Sequence, residues 1–257
     1  MPLREAQTGW HGPNEIGAKR EALFDYWNHM IRVVTFDAAG TLIRLVNPPG
    51  HTYADTARLF GYDLDPVRVQ DAFGVAWKSL PPPPDSCGPQ PDDDRAWWRA
   101  LVAKTIKQAQ YHIDRFDDYF KEVYETFARP GVWELFPSVP LVLMELSCLG
   151  IRLGVISNFD RRLYDVLLHL GVRDAFEHVI ISSEVGIRKP AARIFLEAVR
   201  RFGVSPQEIL HVGDDPELDV LGARSAGLLA FLAGGEKSHL AGLLSRLSLD
   251  RSPRASW

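Results

Sequence analysis

The spacing of short apolar runs constrains this chain more than any other feature. Arg32-Val33-Val34-Thr35-Phe36 is a β-branched run that closes on Asp37. Further runs stand at 153–156, 179–181, 209–212 and 228–231. Runs this short and this rich in Val, Ile and Leu read as strands buried on both faces. Helical patterns lie between the later runs, the clearest being the stripe Ile194, Phe195, Ala198, Val199 and Phe202. Strands alternating with helices predict an α/β fold, a parallel sheet covered by helices.

The first run is cut off from the others by an all-helical insertion of about 90 residues. Residues 51–80 predict one helix, which Pro81, Pro82, Pro83 and Pro84 stop because proline lacks a backbone donor. A Pro- and Asp-rich loop over 81–94 follows, then helices over roughly 95–110 and 115–129. This divides the chain into an extension (1–29), a core (30–48 and 136–257) and a helical cap (49–135). The extension is polar and mixed, with one helix expected over 19–29. It lacks the basic start and apolar centre of a secretory signal.

Several function classes are excluded. The net charge is −4, so no basic surface argues for nucleic acid. No apolar run approaches the roughly 18 residues of a membrane helix. Cys87 and Cys148 make neither a metal-ligand spacing nor a disulfide framework. The expected setting is the cytoplasm, and the expected partner is a small molecule.

Open α/β sheets bind ligands beyond the carboxyl ends of their strands. That edge carries Asp37, then Ser157-Asn158, then Lys189 in Gly186-Ile187-Arg188-Lys189-Pro190, then Asp214-Asp215 with Asp219 nearby. Asp37 reads as a nucleophile or as a turn-initiating Asp. Ser157 reads as an oxyanion binder or a helix N-cap, although Asp160 is the better cap. Lys189 reads as a counter-charge or a solvated lysine, with Arg188 its solvated neighbour. Asp214 and Asp215 read as a Mg²⁺ site or as an Asx turn before a helix. The insertion begins beside this edge and can close over it as a lid.

These four phrases, in this order and spacing, resemble the motifs of the haloacid dehalogenase-like hydrolase superfamily, in its branch with a helical cap. The resemblance covers residues 32 to about 247. Ile156 to Leu163 (ISNFDRRL) and Arg95-Ala96-Trp97-Trp98 narrow it to one group within that branch. It implies a Rossmann-like core and a hydrolase using Mg²⁺. By the same resemblance Asp37 is the nucleophile, Ser157 holds phosphate, and Lys189 is the third-motif lysine. Asn158 and Thr41 fall to substrate binding. Asp37, the Ala39 carbonyl, Asp214 and Asp215 fall to the metal, with Asp219 in support.

The chain departs from that pattern at one position. Phosphatases of the superfamily read Asp-x-Asp-Gly-Thr, and the second Asp is the general acid and base. Here the phrase is Asp37-Ala38-Ala39-Gly40-Thr41. Losing a positioned acid costs roughly 10²–10⁴ in rate. It costs less where the leaving group needs no proton, as in acyl or activated aryl phosphates. The 2-haloacid dehalogenases also lack that Asp, but they use no metal and replace the acids that Asp214 and Asp215 represent. Phosphonoacetaldehyde hydrolases carry Ala there and use a Schiff-base lysine on the cap, a place open to Lys78. A binding or regulatory module that has lost catalysis is the non-enzymatic alternative.

Overall fold

The computed structural model describes residues 31–86, 88–234, 240, 242 and 243. The expected extension over 1–29 and Cys87 lie outside the described residues. In chain order, β1 (Val33–Phe36) and a short β2 (Ile43–Leu45) precede helices α1 (Pro49–Arg58), α2 (Pro66–Ser79), α3 (Arg95–Gln108) and α4 (Phe116–Thr126). Next come β3 (Trp133–Leu135), α5 (Val139–Cys148), β4 (Arg152–Ser157), α6 (Arg162–His169) and β5 (His178–Ile181). The one-turn α7 (Ser182–Val185), α8 (Ala192–Phe202), β6 (Ile209–Gly213), α9 (Gly222–Ser225) and β7 (Leu229–Leu232) follow.

All five apolar runs are strands, and they form one parallel, Rossmann-like sheet in the order β5-β4-β1-β6-β7. Because side chains alternate along a strand, each run feeds two cores. Val34, Phe36, Val155, Ile181 and Val212 face α5 and α6, meeting Val142, Leu146, Leu163 and Leu167. Val33, Ile156, Ile180 and Ile209 face the other way, onto Ile194, Phe195, Ala198 and Phe202 of the predicted stripe. The register places Val33 opposite both Arg152 and Ile209, so β1 is the central strand. Its carboxyl end is therefore flanked on both sides by neighbouring strand ends.

The insertion holds four helices with a core of their own, built from Tyr53, Ala57, Val69, Val102, Ile106, Tyr119 and Val123. The single helix expected over 51–80 is two helices. Gly61, at φ 84°, breaks the first. Asp65 then starts the second by accepting from the Val67 and Arg68 backbone N–H groups, with Pro66 at the first helical position. The stretches expected over 95–110 and 115–129 are α3 and α4. No helix among the described residues is long and apolar enough to cross a membrane.

Sequence reading did not anticipate the antiparallel pair β2–β3. Its strands precede and follow the cap helices in the chain and bring the two ends of the insertion together. Each strand has three residues and its partner lies about 90 positions away, so neither shows a period on its own.

Packing on the α8 face is tight enough to test. A Cβ on Gly154 would sit 2.8 Å from Cζ of the buried Phe202 and 3.1 Å from the His178 carbonyl oxygen. Gly154→Val is expected to lower the unfolding free energy by about 1–3 kcal/mol in urea titration. An unchanged midpoint would mean that the Phe202 ring turns aside freely.

Candidate active site

Residue 37 lies one position beyond β1, Ser157 ends β4, and residue 214 lies one position beyond β6. Three adjacent parallel strands therefore deliver them to one edge. The turn after β1 is fixed by its backbone, with the N–H groups of Leu42 and Ile43 donating to the Ala38 carbonyl and that of Gly40 to the Ile43 carbonyl. Gly40 has φ +99°, and a Cβ there would lie 2.5 Å from Oδ2 of Asp214. Glycine is thus needed both for the left-handed turn and for the approach of that carboxylate.

Lys189 is the electrostatic centre. Its Nζ donates to Asp37 Oδ1 at 2.5 Å and to Asp219 Oδ1 at 2.6 Å. The Ser157 hydroxyl donates to the same Asp37 oxygen at 3.2 Å. Burial pushes the Asp37 carboxyl up to about 6; Lys189 pulls it down, and Asp219 and Asp214 push it further up. Burial alone would lower the Lys189 pKa, but Asp37 and Asp219 outweigh it and hold the ammonium above the ordinary lysine value. Asp219 is also desolvated, yet its bond to His211 and the Lys189 charge hold it below the usual carboxylate range.

His211 carries no role in the sequence reading and proves to be part of this network. Its Nε2 lies 3.1 Å from Asp219 Oδ1, and its Nδ1 lies 3.0 Å from the Thr35 hydroxyl. Burial drives its pKa down, so the ring is neutral. Asp219 can only accept, so Nε2 carries the proton and Thr35 donates to Nδ1. Thr35 and His211 are register partners on β1 and β6. The signal was a lone histidine inside a strand run, which by itself does not distinguish a site from a core.

Three predicted residues are bonded within the protein. Thr41 was assigned to substrate binding, but it is fully buried and donates to Asp214 Oδ1 at 2.9 Å. It orients an acid. Asn158 received the same assignment, yet its amide grips the Lys189 backbone, Nδ2 donating to the carbonyl at 3.0 Å and Oδ1 accepting from N–H at 2.8 Å. It fixes the lysine. Asp215 was grouped with the metal ligands, but its Oδ1 accepts from the Glu217 and Leu218 N–H groups and caps the π-helical turn Pro216–Leu221.

That turn carries Asp219 back toward β6, where a Cβ on Gly213 would lie 2.1 Å from the Asp219 Cγ. Asp219 thus lies closer to Asp37 and Lys189 than a residue at the head of the turn could. Asp37, Asp214 and Asp219 each offer an oxygen within 4.8 Å of the others. Three carboxylates against one ammonium leave an excess of negative charge, and hard oxygen donors of this kind suit Mg²⁺. Ala39 is exposed at the cavity edge, and Ala38 beside it is buried.

Arg188 is not the solvated neighbour it was expected to be. It pairs with Asp94 at 2.8 Å, its side chain 19% exposed. The loop over 81–94 straps the cap to the core here. Asp85 accepts from the Arg188 N–H, and Asp93 accepts from the Ser183 hydroxyl and the Arg161 N–H. Asp160, expected to cap α6, does accept from the Arg162 N–H, but most of its bonding goes to the Arg162 guanidinium at 2.8 and 2.6 Å. Lys78 is exposed and does not line the cavity over Asp37.

Residues 31–227 match the family model of the haloacid dehalogenase-like hydrolases. The chain belongs to that family. The haloacid dehalogenase-like hydrolase domain-containing protein 3 of Mus musculus is 34% identical over 209 residues, covering 80% of this chain and 83% of the relative. The glyceraldehyde 3-phosphate phosphatase of Methanothermobacter thermautotrophicus is 42% identical over 102 residues, 39% of this chain and 45% of that protein. Among solved structures, a HAD phosphatase from Thermococcus onnurineus superposes with a TM-score of 0.55 at 23% identity, covering 79% of this chain and 86% of its own. That likeness is one of fold.

Removing the Lys189 charge leaves two buried carboxylates facing each other. Lys189→Met is expected to cost about 3–5 kcal/mol of stability at neutral pH, read from urea unfolding. A loss below about 1 kcal/mol would mean that the ammonium does not neutralise the pair.

Proposed function

We propose that this chain is a Mg²⁺-dependent phosphohydrolase that works through an aspartyl-phosphate on Asp37 and acts on a small phosphorylated metabolite. The observation that carries the reading is the convergence of Asp37, Asp214 and Asp219 around Lys189 at the carboxyl edge of the sheet. A relative named as a phosphatase supports the same class of chemistry.

In this reading Lys189 and Ser157 both bond Oδ1 of Asp37, so Oδ2 is the oxygen left to attack phosphorus. Lys189 then stabilises charge on the transferring group, and the Ser157 hydroxyl turns to a phosphoryl oxygen. Asn158 keeps Lys189 in place through its backbone, and the neutral His211 keeps Asp219 in place. Asp37, Asp214 and the Ala39 carbonyl are the groups assigned to Mg²⁺, which when bound would neutralise phosphoryl oxygens. Thr41 and Gly40 serve by orienting Asp214.

Dehalogenation is disfavoured because that chemistry needs no acidic cluster, and this chain keeps one. The phosphonate reading required Lys78 over the nucleophile, and Lys78 lies outside the cavity.

Turnover of phenyl phosphate is expected to need Mg²⁺ and to vanish in Asp37→Asn, with no phosphate burst remaining. Chelator-insensitive halide release from 2-chloropropionate would sink the proposal. Ala39→Asp is expected to raise hydrolysis of alkyl phosphates by roughly 10²-fold or more. A folded Ala39→Asp variant with no gain would mean that the missing acid is not the limiting defect.

A further inference from the structure

The cavity above Asp37 is far larger than a phosphoryl group requires. It encloses about 1210 Å³ and runs without a break from Asp37, Ser157 and Lys189 to the cap. Its cap wall is aromatic. Trp77 stacks on Phe73 at 5.8 Å and meets the edge of Trp97 at 5.5 Å, and Trp97 meets Trp98 at 4.9 Å. Trp77 is still 48% exposed although it sits among three other rings. The Trp97 indole N–H donates to the Pro81 carbonyl at 2.7 Å, which fixes the ring against the proline loop.

The cations lining the cavity are already engaged. Arg162 is held by Asp160 and donates to the Tyr124 carbonyl, Arg188 is held by Asp94, and Lys189 is held by Asp37 and Asp219. Among the described residues, no cation in the distant part of the lining is without a carboxylate partner. An apolar, ring-lined pocket of this kind recognises a flat uncharged body. Position 39, where the motif's second Asp would stand, is Ala and carries no acid to protonate a departing alcohol. A leaving oxygen that is stable as an anion suits such a site, and an aryl oxide is one.

We propose that the site takes a phosphate monoester of a bulky aromatic alcohol, with the phosphoryl group at Asp37 and the rings against the Trp77–Trp97 wall. This rests on the phosphohydrolase reading. The Asp37 oxygen–phosphorus bond forms as the phosphorus–aryl oxygen bond breaks. The electron pair leaves on the aryl oxygen, which takes a proton from water. A second water then attacks phosphorus and releases orthophosphate, one proton and the Asp37 carboxylate.

Three esters compared on the full chain with Mg²⁺ test this: phenyl phosphate, 2-naphthyl phosphate and 2-(2-naphthyl)ethyl phosphate. The naphthyl ester is expected to show a KM about tenfold or more below that of the phenyl ester. The naphthylethyl ester should match its KM but turn over roughly 10²-fold more slowly. Trp77→Ala should reduce the naphthyl-to-phenyl ratio of kcat/KM about tenfold, with partial recovery in Trp77→Phe. Equal kcat/KM for the phenyl and naphthyl esters, or equal kcat/KM for the two naphthyl esters, would overturn the proposal. If no ester is turned over, the phosphohydrolase reading fails, and calorimetric Kd values for the naphthyl and phenyl esters decide the aromatic site. Tenfold tighter naphthyl binding that depends on Trp77 keeps that site, and equal binding removes it.

Discussion

The site depends on one buried ammonium group. Lys189 bonds Asp37 and Asp219 at once, so two carboxylates that would repel each other share a counter-charge. In a poorly solvated interior such a contact is worth much more than at the surface, and it is just as costly to leave unmade. Much of the nearby structure keeps that contact in register. Asn158 holds the lysine by its backbone, the π-helical turn after β6 presents Asp219, and Thr35 with His211 sets the angle of the Asp219 carboxylate. Two glycines serve the same end by close approach: Gly40 admits Asp214, and Gly213 admits Asp219.

What could be read from the sequence follows physical range. The five strands were legible because four of them are buried on both faces and the fifth is partly buried, which leaves mostly apolar runs, a signal contained within a few residues. The sheet edge then nominated Asp37, Ser157, Lys189 and Asp214 from position alone. The details it left open were set partly by contacts between distant segments and partly by the geometry of one turn. Thr41 sits next to a catalytic turn, and only its burial against Asp214 shows which way it points. Asp215 and Asp219 are both acids in one turn. The choice between them was made by the helix N-terminus, which claims the first, and by the extra residue of the π-helical turn, which swings the second inward.

Arg188 and the proline loop make the same point for the cap. An arginine beside Lys189 looks solvated until a partner some 94 positions earlier is seen to reach it. Asp85, Asp93 and Asp94 lie in a segment whose composition says only loop, yet they tie the cap to residues immediately before Lys189 and to the start of α6. The cap's contacts with the core and the placement of the lysine thus share one segment, 183–189.

The substitution at Ala39 and the aromatic wall of the cap are best understood as one arrangement. A missing general acid removes a contribution made at the reacting oxygen and leaves the rest of the chemistry to positioning and charge. Positioning can be supplied from a distance, because binding energy gained on a remote part of a substrate can hold its reacting atoms in line. A flat body gripped by Phe73, Trp77 and Trp97 does this while excluding water from the Lys189–Asp37 pair, which strengthens that pair further. The same body, when conjugated to the ester oxygen, removes the need for the acid. A large apolar cavity and an alanine at 39 therefore suit the same proposed substrate, an ester whose rings lie against the cap and whose oxygen leaves without a proton.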